Sequence, residues 1–329
     1  MMGELALRYP ARSLVVSTGM YEGSAASDAR FPQLIDRVGI RATRLRTIQG
    51  LARWTWRARR LAKRWHPGFV WCAELKPAGY PARWLHIPYG IIVYGTELLL
   101  IEEKIRRSRF KRGTAGGILG RAAVLVAISH WTADQARRVL AMLERDVPIE
   151  RVPLGTTPGY FRPGVDTTAV RNKYGLHGGP WLLTVARLEW HKGVDTVMKA
   201  LPAIRAAHPG ARYAIAGVGD RLPQLQQLHR DLGLGEAVRF LAGVPDDDLP
   251  ALYNAADLYV GASRRHDLLV EGFGISLVEA SACGLAVVGG RSGGVPDAVR
   301  EGETGILVDP DDPAAVAGGV NELLANPER

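Results

Sequence analysis

The chain has 329 residues, nearly half of them hydrophobic, with 38 glycines and only two cysteines. This length is sufficient for two domains with separate cores, and Cys72 and Cys283 are too few for a disulfide framework or a cysteine metal cluster. The net charge of +9 is uneven: residues 1–160 hold 26 Lys and Arg against 12 Asp and Glu, and residues 161–329 hold 16 against 21. The basic half is therefore expected to face something anionic, such as lipid headgroups or nucleic acid.

No segment has the pattern of a leader or a membrane span. Residues 1–10 lack the apolar core of a secretory signal. The most apolar stretch, residues 85–101, is interrupted by Pro88, Gly90, Gly95 and Glu97, so it falls short of the ~20 apolar residues of a transmembrane helix. We expect a cytoplasmic protein that meets a membrane, if at all, peripherally on the inner face of the plasma membrane.

The first half has irregular hydrophobic patterns. They predict strands at 13–17, 69–74, 91–94 and 124–128, and helices at 51–65 and 133–143. Residues 153–163 are rich in Pro and Gly, which is typical of a hinge. We therefore predict an N-terminal domain of residues 1–160 and a C-terminal domain of residues 161–329.

The second half alternates strand and helix with short connections. The predicted strands are 181–188, 211–216, 238–241, 258–261, 285–288 and 305–308. The predicted helices are 194–207, 222–232, 246–256, 275–282 and 313–325. This alternation indicates an α/β fold with a parallel sheet covered on both faces. Ligands of such sheets bind at the carboxyl ends of the strands, where every candidate site loop of this half begins.

The densest chemical signal is a pair of carboxylates, Glu271 and Glu279, separated by a glycine-rich turn and a predicted helix start. The residues between them that we predict to bind substrate are Gly272, Phe273, Gly274, Ile275, Ser276 and Leu277. Free amides at a helix N-terminus bind anions, and glycine allows a phosphate to approach the backbone. A nucleotide sugar fits, with Glu271 on hexose hydroxyls and Glu279 on ribose hydroxyls. The alternative is a surface loop with two solvated acids.

A second signal is a pair of cations, Arg187 and Lys192, five positions apart in a short loop after a predicted strand. Two cations there can neutralise a diphosphate and stabilise its charge as the sugar–oxygen bond breaks. A nucleoside diphosphate is already a good leaving group, so no general acid is required. Two solvated charges beside a turn remain the alternative.

Together these segments resemble the donor site of glycosyltransferase family 4, whose members have the GT-B fold of two Rossmann-like domains with parallel sheets facing across a cleft. The resemblance continues through residues 284–288, 292–297 and 302–305, and it covers residues 150–325. Within the family, the Ser292-Gly293-Gly294-Val295-Pro296-Asp297 run is similar to mannosyltransferases that act on phosphatidylinositol mannosides.

The resemblance implies roles for these residues. Arg187 and Lys192 would bind the donor diphosphate, Glu271 the sugar and Glu279 the ribose. The residues implied to shape the nucleotide pocket are Gly217, Gly219, Gly243 and Val244. Tyr94 stands where relatives carry a histidine that contacts the transferred sugar; a core tyrosine at a strand end is the alternative. The resemblance also implies a strand and loop before residue 13 and a crossover helix after residue 329, so both ends are expected to be incomplete.

Two basic segments, residues 53–65 and 104–112, lie in the first half. The first has cations and tryptophans at helical spacing and can lie on an anionic membrane. A solvated basic face is the alternative. Nucleic-acid binding is less favoured because no zinc-finger or RNA-binding aromatic motif is present. The histidines show no metal-ligand spacing, so we expect neither a metal nor another cofactor.

We predict a retaining hexosyltransferase of the mannosyl or glucosyl type, using a GDP- or UDP-sugar and a lipid or glycan acceptor. Two other hypotheses stay open. One is another enzyme on the same architecture, such as a nucleotide-sugar epimerase or a glycosyl phosphorylase. The other is a non-catalytic module that binds a nucleotide sugar or an anionic membrane.

Overall fold

The computed structural model describes residues 6–21, 24–29, 31–41 and 47–326. The chain forms two compact units, one of residues 1–128 and 132–152, the other of residues 129–131 and 153–329. The two ends at which the resemblance implies further elements, residues 1–5 and 327–329, lie outside the described residues.

The first unit contains two parallel sheets. Its strands are β1 (Val15–Met20), β2 (Leu34–Arg41), β3 (Val70–Cys72), β4 (Tyr89–Val93), β5 (Val124–Ala127) and β6 (Ile149–Arg151). Its helices are α1 (Ser24–Ala29), α2 (Ile48–Trp65), α3 (Gly79–Ala82), α4 (Thr96–Arg107), α5 (Arg109–Leu119) and, except for its first two residues, α6 (His130–Leu143). One sheet pairs β1 with β2, and the other has the order β3-β4-β5-β6.

The second unit is a six-stranded parallel sheet with helices between the strands. Its strands are β7 (Trp181–Val185), β8 (Arg212–Ala216), β9 (Val238–Leu241), β10 (Leu258–Gly261), β11 (Val287–Gly290) and β12 (Gly305–Val308). Its helices are α7 (Thr168–Tyr174), α8 (Val194–Ala207), α9 (Leu222–Asp231), α10 (Leu249–Ala255), α11 (Ile275–Ala282), α12 (Val295–Ala298) and α13 (Pro313–Ala325).

The strand order of the second unit, β12-β11-β10-β7-β8-β9, positions its loops. From β7 the chain proceeds outward in one direction through β8 and β9, then returns to β10 and proceeds in the other. The neighbours β7 and β10 therefore flank the topological switch point, where open α/β sheets form a crevice at the carboxyl ends of the strands. The loops after these two strands carry the cationic and carboxylate motifs.

Both faces of this sheet are buried, because successive strand residues point to opposite sides. On one face Leu182 packs in a core with Tyr213 and Val260. On the other face Trp181 and Leu183 join a separate core that also contains Tyr259. Packing against these two cores fixes the positions of the strands and therefore of the loops at their ends.

The α/β class with parallel sheets, predicted from the sequence, is confirmed. The second half matches most of its predicted elements closely, but β7 ends at Val185 instead of residue 188, and the sequence patterns did not predict α7 and α12. The predicted helix at 246–256 is a 3₁₀ turn, Asp246–Asp248, followed by α10, and the predicted strand at 285–288 is Val287–Gly290. In the first half the structure adds elements that the patterns did not predict: β2, β6, α1, α3, α4 and α5. None of the helices described is long and apolar enough to cross a bilayer.

One glycine contact in the second unit is testable. Gly193 precedes α8 with φ +66°, and a Cβ atom there would lie 1.8 Å from the carbonyl oxygen of Ala262. Gly193→Ala should therefore destabilise the unit by about 3 kcal/mol or more, through left-handed strain and overpacking together. Urea denaturation of the purified chain measures the loss.

Gly233→Ala is the matched control, because Gly233 has φ +61° and a Cβ atom added there would meet nothing within 4 Å. It should cost only the strain, about 1–2 kcal/mol. Equal losses in the two variants would contradict the argument from close approach.

Candidate functional site

The loop after β7 carries the predicted cations. Arg187 is largely exposed, and its guanidinium donates to a carboxylate oxygen of Glu189 over 2.7 Å. The chain then forms a 3₁₀ turn, Trp190–Lys192, that ends at Gly193. His191 in this turn is buried, and burial together with the charge of Lys192 lowers its pKa. The loop thus carries two cations, the exposed Arg187 and the largely buried Lys192, and the buried His191 directly precedes Lys192.

Lys192 and Glu271 form an ion pair between the loops after β7 and β10. The Lys192 Nζ lies 2.5 Å from a carboxylate oxygen of Glu271, and each side chain is less than one-fifth exposed. Burial by itself would raise the pKa of Glu271, but the charge and hydrogen bond of Lys192 outweigh it, and the pKa is lowered. Glu271 is therefore a stably ionised hydrogen-bond acceptor.

A small cavity beside this pair has a volume of about 10 Å³, enough for about one water molecule. Its walls include Lys192 and Glu271, and also Gly274, Ser276 and Leu277 from the start of α11. The structure thus brings together Lys192 of the cation motif, the first carboxylate and the helix N-terminus, which the sequence identified separately. The exposed Arg187 is not among the residues that line the cavity.

The N-terminus of α11 follows Gly274, which has φ +98°. The first amides of a helix have no acceptor within it, so those of Ile275 and Ser276 are available to a ligand. The Leu277 amide instead donates to the Gly274 carbonyl over 3.0 Å, and its side chain is buried. Leu277 is one of the residues predicted to bind substrate at this helix N-terminus, but in the structure its amide is used within the first turn.

Two further glycines fix the backbone that carries Glu271. Gly294 N–H donates to the carbonyl of Glu271 over 2.8 Å. A Cβ at Gly293 would lie 2.3 Å from that carbonyl oxygen, and one at Gly294 would lie 1.9 Å from the carbonyl oxygen of Gly272. The Ser-Gly-Gly run therefore has a packing role here, since only glycine allows this close approach. Phe273 beside it is buried in the core.

Glu279 lies on the second turn of α11. Its carboxylate accepts a hydrogen bond from the hydroxyl of Tyr253 over 2.8 Å. Burial raises its pKa, and the nearby Asp246 adds to this effect. The two carboxylates of the motif thus differ: Glu271 is held ionised by a cation, whereas Glu279 is bonded to a neutral hydroxyl.

The glycines after β8 pack directly against the cation loop. A Cβ at Gly217 would lie 1.8 Å from the carbonyl oxygen of Ala186, and one at Gly219 would lie 2.4 Å from that of Leu188. These two residues therefore fix the backbone on either side of Arg187. Gly243, with φ +22°, and the partly buried Val244 follow β9 at the same edge of the sheet.

Tyr259 also lines the cavity of the candidate site, although no sequence motif includes it. Its hydroxyl lies 2.7 Å from Ser276 Oγ and 3.2 Å from the carbonyl oxygen of Val185. It is fully buried on β10 and thus connects the end of β7 to the first turn of α11. A tyrosine within a strand has the pattern of a core residue, so no sequence signal distinguishes it.

Tyr94 belongs to the first unit and directly follows β4. Its backbone N–H donates to a carboxylate oxygen of Glu97 over 2.6 Å. Burial, with the nearby Glu97 and Glu74, raises the pKa of Tyr94 to about 12. The phenol is therefore protonated near neutral pH and can donate or accept a hydrogen bond, but it is a poor base.

The half of the chain that contains this candidate site matches a known family. Residues 166–329 match the family described as glycosyl transferases group 1. A GDP-mannose-dependent alpha-(1-6)-phosphatidylinositol monomannoside mannosyltransferase of Mycolicibacterium smegmatis is 39% identical over 63% of this chain and 54% of its own length. A D-inositol 3-phosphate glycosyltransferase of Acidothermus cellulolyticus is 35% identical over 63% of this chain and 48% of its own length. The chain thus spans about half the length of these curated relatives.

Solved structures share the fold. The Anabaena protein Alr3699/HepE in complex with UDP has a TM-score of 0.74 at 19% identity, over 99% of this chain and 86% of that one. Sucrose-phosphate synthase from Thermosynechococcus elongatus has a TM-score of 0.70 at 21% identity, over 90% of this chain and 74% of that one. These likenesses show that the chain has the GT-B fold, and the family match assigns residues 166–329 to the group 1 glycosyl transferases.

Proposed function

We propose that the chain transfers a hexose of the mannose or glucose type from a GDP- or UDP-sugar to a hydroxyl group of a lipid-linked or glycan acceptor. The observation that carries this proposal is the Lys192–Glu271 ion pair beside the N-terminus of α11. The name of the Mycolicibacterium relative specifies GDP-mannose and a phosphatidylinositol-linked acceptor. GDP-mannose is therefore the first donor to test, and UDP-glucose, which is bound in a structure of Anabaena Alr3699/HepE, is the second.

In this proposal the donor diphosphate lies between cations and amides. Lys192 has three N–H donors and uses one on Glu271, and Arg187 has five in a planar fork. The amides of Ile275 and Ser276 supply further donors with the positive end of the helix dipole. These groups are preorganised by the sheet, so they stabilise the charge that develops on the leaving phosphate more than the charge of the bound donor.

The proposed stereochemical course is retention. Glu271 is already paired with Lys192, so it orients the sugar through its hydroxyls and does not attack the anomeric carbon. The acceptor oxygen bonds to that carbon from the face that the phosphate leaves, as the sugar–phosphate bond breaks. The acceptor's proton passes to the departing phosphate oxygen, which balances the step without a protein nucleophile.

We assign donor binding mainly to residues 161–329 and acceptor binding to residues 1–160, and the site to the cytoplasmic side. Helix α2 supports a peripheral contact with the inner face of the plasma membrane. It carries six Lys and Arg and no acidic residue, and of these Arg57 pairs with Asp36. A cationic helix surface of this kind attracts anionic headgroups.

A second candidate is a module that binds a nucleotide sugar without transferring it. Tyr94 favours this candidate, because it stands in place of the family histidine and its raised pKa makes it a poor base. Both candidates bind the donor, so only turnover separates them.

The deciding experiment is a screen of GDP- and UDP-hexoses for thermal stabilisation, because a ligand that binds the folded chain raises its apparent stability. Each stabilising donor is then assayed for nucleotide release with and without phosphatidylinositol-mannoside and glycan acceptors. Acceptor-dependent release supports transfer, binding without release supports the second candidate, and no binding to any donor contradicts both.

Arg187→Ala and Lys192→Ala should each lower kcat/KM about 100-fold or more, because each removes charge that stabilises the leaving diphosphate. Steady-state kinetics with the best donor measure the effect, and circular dichroism verifies folding. Arg230→Ala and Lys199→Ala are matched controls, since they remove one Arg and one Lys that bond to side chains of their own helices. Normal turnover of both site variants would refute the assignment.

Tyr259→Phe should weaken binding of GDP or UDP about tenfold, because the hydroxyl joins the end of β7, from which the cation loop starts, to the first turn of α11. Isothermal titration calorimetry measures this. Tyr213→Phe is the control: it removes an equally buried hydroxyl, 2.7 Å from Thr184 Oγ1, on the other face of the sheet. If both variants lose the same affinity, Tyr259 has no specific positioning role.

The membrane proposal predicts that Arg60→Gln, Lys63→Gln and Arg64→Gln combined lower the affinity for phosphatidylglycerol vesicles roughly 100-fold. Each cation near an anionic surface contributes about 1 kcal/mol. Co-sedimentation at low ionic strength measures the loss. Glutamine at Lys199, Arg205 and Arg230 of the second unit removes the same charge and should leave binding nearly unchanged; an equal effect would indicate a net-charge response only.

A further inference from the structure

An aromatic groove of about 480 Å³ lies in the first unit, separate from the residues assigned to donor binding. One wall is a stripe of α2 consisting of Leu51, Ala52, Thr55, Trp56 and Arg59. The other wall is Tyr80, in α3, and Trp84, which follows it. Trp56 is 58% exposed and Trp84 is 43% exposed, so both rings present apolar surface to water.

Few polar groups line this groove: the hydroxyls of Thr55 and Tyr80, and the guanidinium of Arg59. The Thr55 hydroxyl donates to the carbonyl of Leu51 over 2.7 Å, so its only proton is used within its own helix. None of the lining residues is a carboxylate or an amide side chain, and those are the groups that read sugar hydroxyls. The groove therefore suits a hydrocarbon better than a carbohydrate.

Three arginines lie next to the two tryptophans of the groove. The guanidinium of Arg60 lies 4.8 Å from the ring centroid of Trp56, and that of Arg83 lies 4.6 Å from Trp84. Arg59, which also lines the groove, donates to the carbonyl oxygen of Trp84 over 3.4 Å. An apolar interior with three guanidinium groups at its border matches an amphiphile that has an apolar tail and an anionic head.

We infer that this groove binds one acyl chain of an anionic membrane phospholipid, whose phosphate contacts the arginines at its border. The inference rests on the membrane contact proposed for α2. That contact requires only attraction between the cations of α2 and anionic headgroups, whereas the groove would bind one lipid molecule at a defined site. It also explains why exposed tryptophans accompany the cations, since a purely electrostatic contact requires no apolar surface.

The test uses dihexanoyl phosphatidylglycerol below its micelle concentration, so that no bilayer takes part. Titration calorimetry with the full chain should give saturable one-to-one binding. Glycerophosphoglycerol, the same headgroup without chains, should bind at least tenfold more weakly, and dihexanoyl phosphatidylcholine should also bind more weakly. Equal affinity for the headgroup alone would overturn the acyl-chain site.

Trp56→Ala should reduce the affinity about tenfold or more, and Trp65→Ala is its matched control. Trp65 is also an exposed tryptophan of α2 with an arginine stacked on it, but it does not line the groove. Ala52→Trp, which fills the groove without changing any charge, should act like Trp56→Ala. Equal losses at positions 56 and 65, or an unaffected Ala52→Trp variant, would overturn the proposal.

A single-stranded oligonucleotide is tested as the alternative ligand of the groove, because tryptophans beside arginines also stack on bases. If it binds more tightly than the lipid and Trp56→Ala abolishes its binding, the groove is a nucleic-acid surface and the lipid proposal is wrong. If vesicles bind through the cations of α2 while the monomeric lipid does not bind, the acyl-chain site is refuted and the peripheral contact stands.

Discussion

The ion pair between Lys192 and Glu271 is the contact on which the site of the second unit depends. It joins two loops that are 79 positions apart in sequence and adjacent in space, because β7 and β10 are neighbours at the switch point of the sheet. A carboxylate as buried as that of Glu271 would normally have a raised pKa, and the ammonium group reverses this shift. The ion pair therefore holds a carboxylate and an ammonium group side by side. The ammonium still has N–H donors, and the carboxylate still has acceptor positions, for a ligand.

Backbone packing provides the rigidity that this arrangement needs. The glycines at 217 and 219 allow the loop after β8 to contact the cation loop, and those at 293 and 294 allow the loop after β11 to contact the carboxylate turn. The Tyr259 hydroxyl connects the end of β7 to the first turn of α11. Close glycine contacts and one buried hydroxyl together fix the geometry of the residues to which we assign diphosphate binding.

Much of the second unit could be predicted from the sequence because its strands and helices alternate with clear periods; α8, α11 and α13 have the bounds that the pattern predicts. The helices and strands of the first unit were harder to predict from the sequence. The start of α4 carries four consecutive apolar residues, Leu98–Ile101, and this run lacks helical spacing. The family was predicted from its motifs and is confirmed by the comparisons. The Lys192–Glu271 pair and the role of Tyr259 could not be predicted, because both depend on which strands are neighbours.

The central claim is that the cation loop and the N-terminus of α11 converge on one diphosphate, and a crystal structure of the chain with GDP tests it most directly. The account predicts β-phosphate oxygens about 3 Å from the amides of Ile275 and Ser276 and from Lys192 Nζ, with Glu279 on the ribose hydroxyls. A diphosphate bound away from these groups, or one that leaves Lys192 and Glu271 without contact to the ligand, would contradict the account.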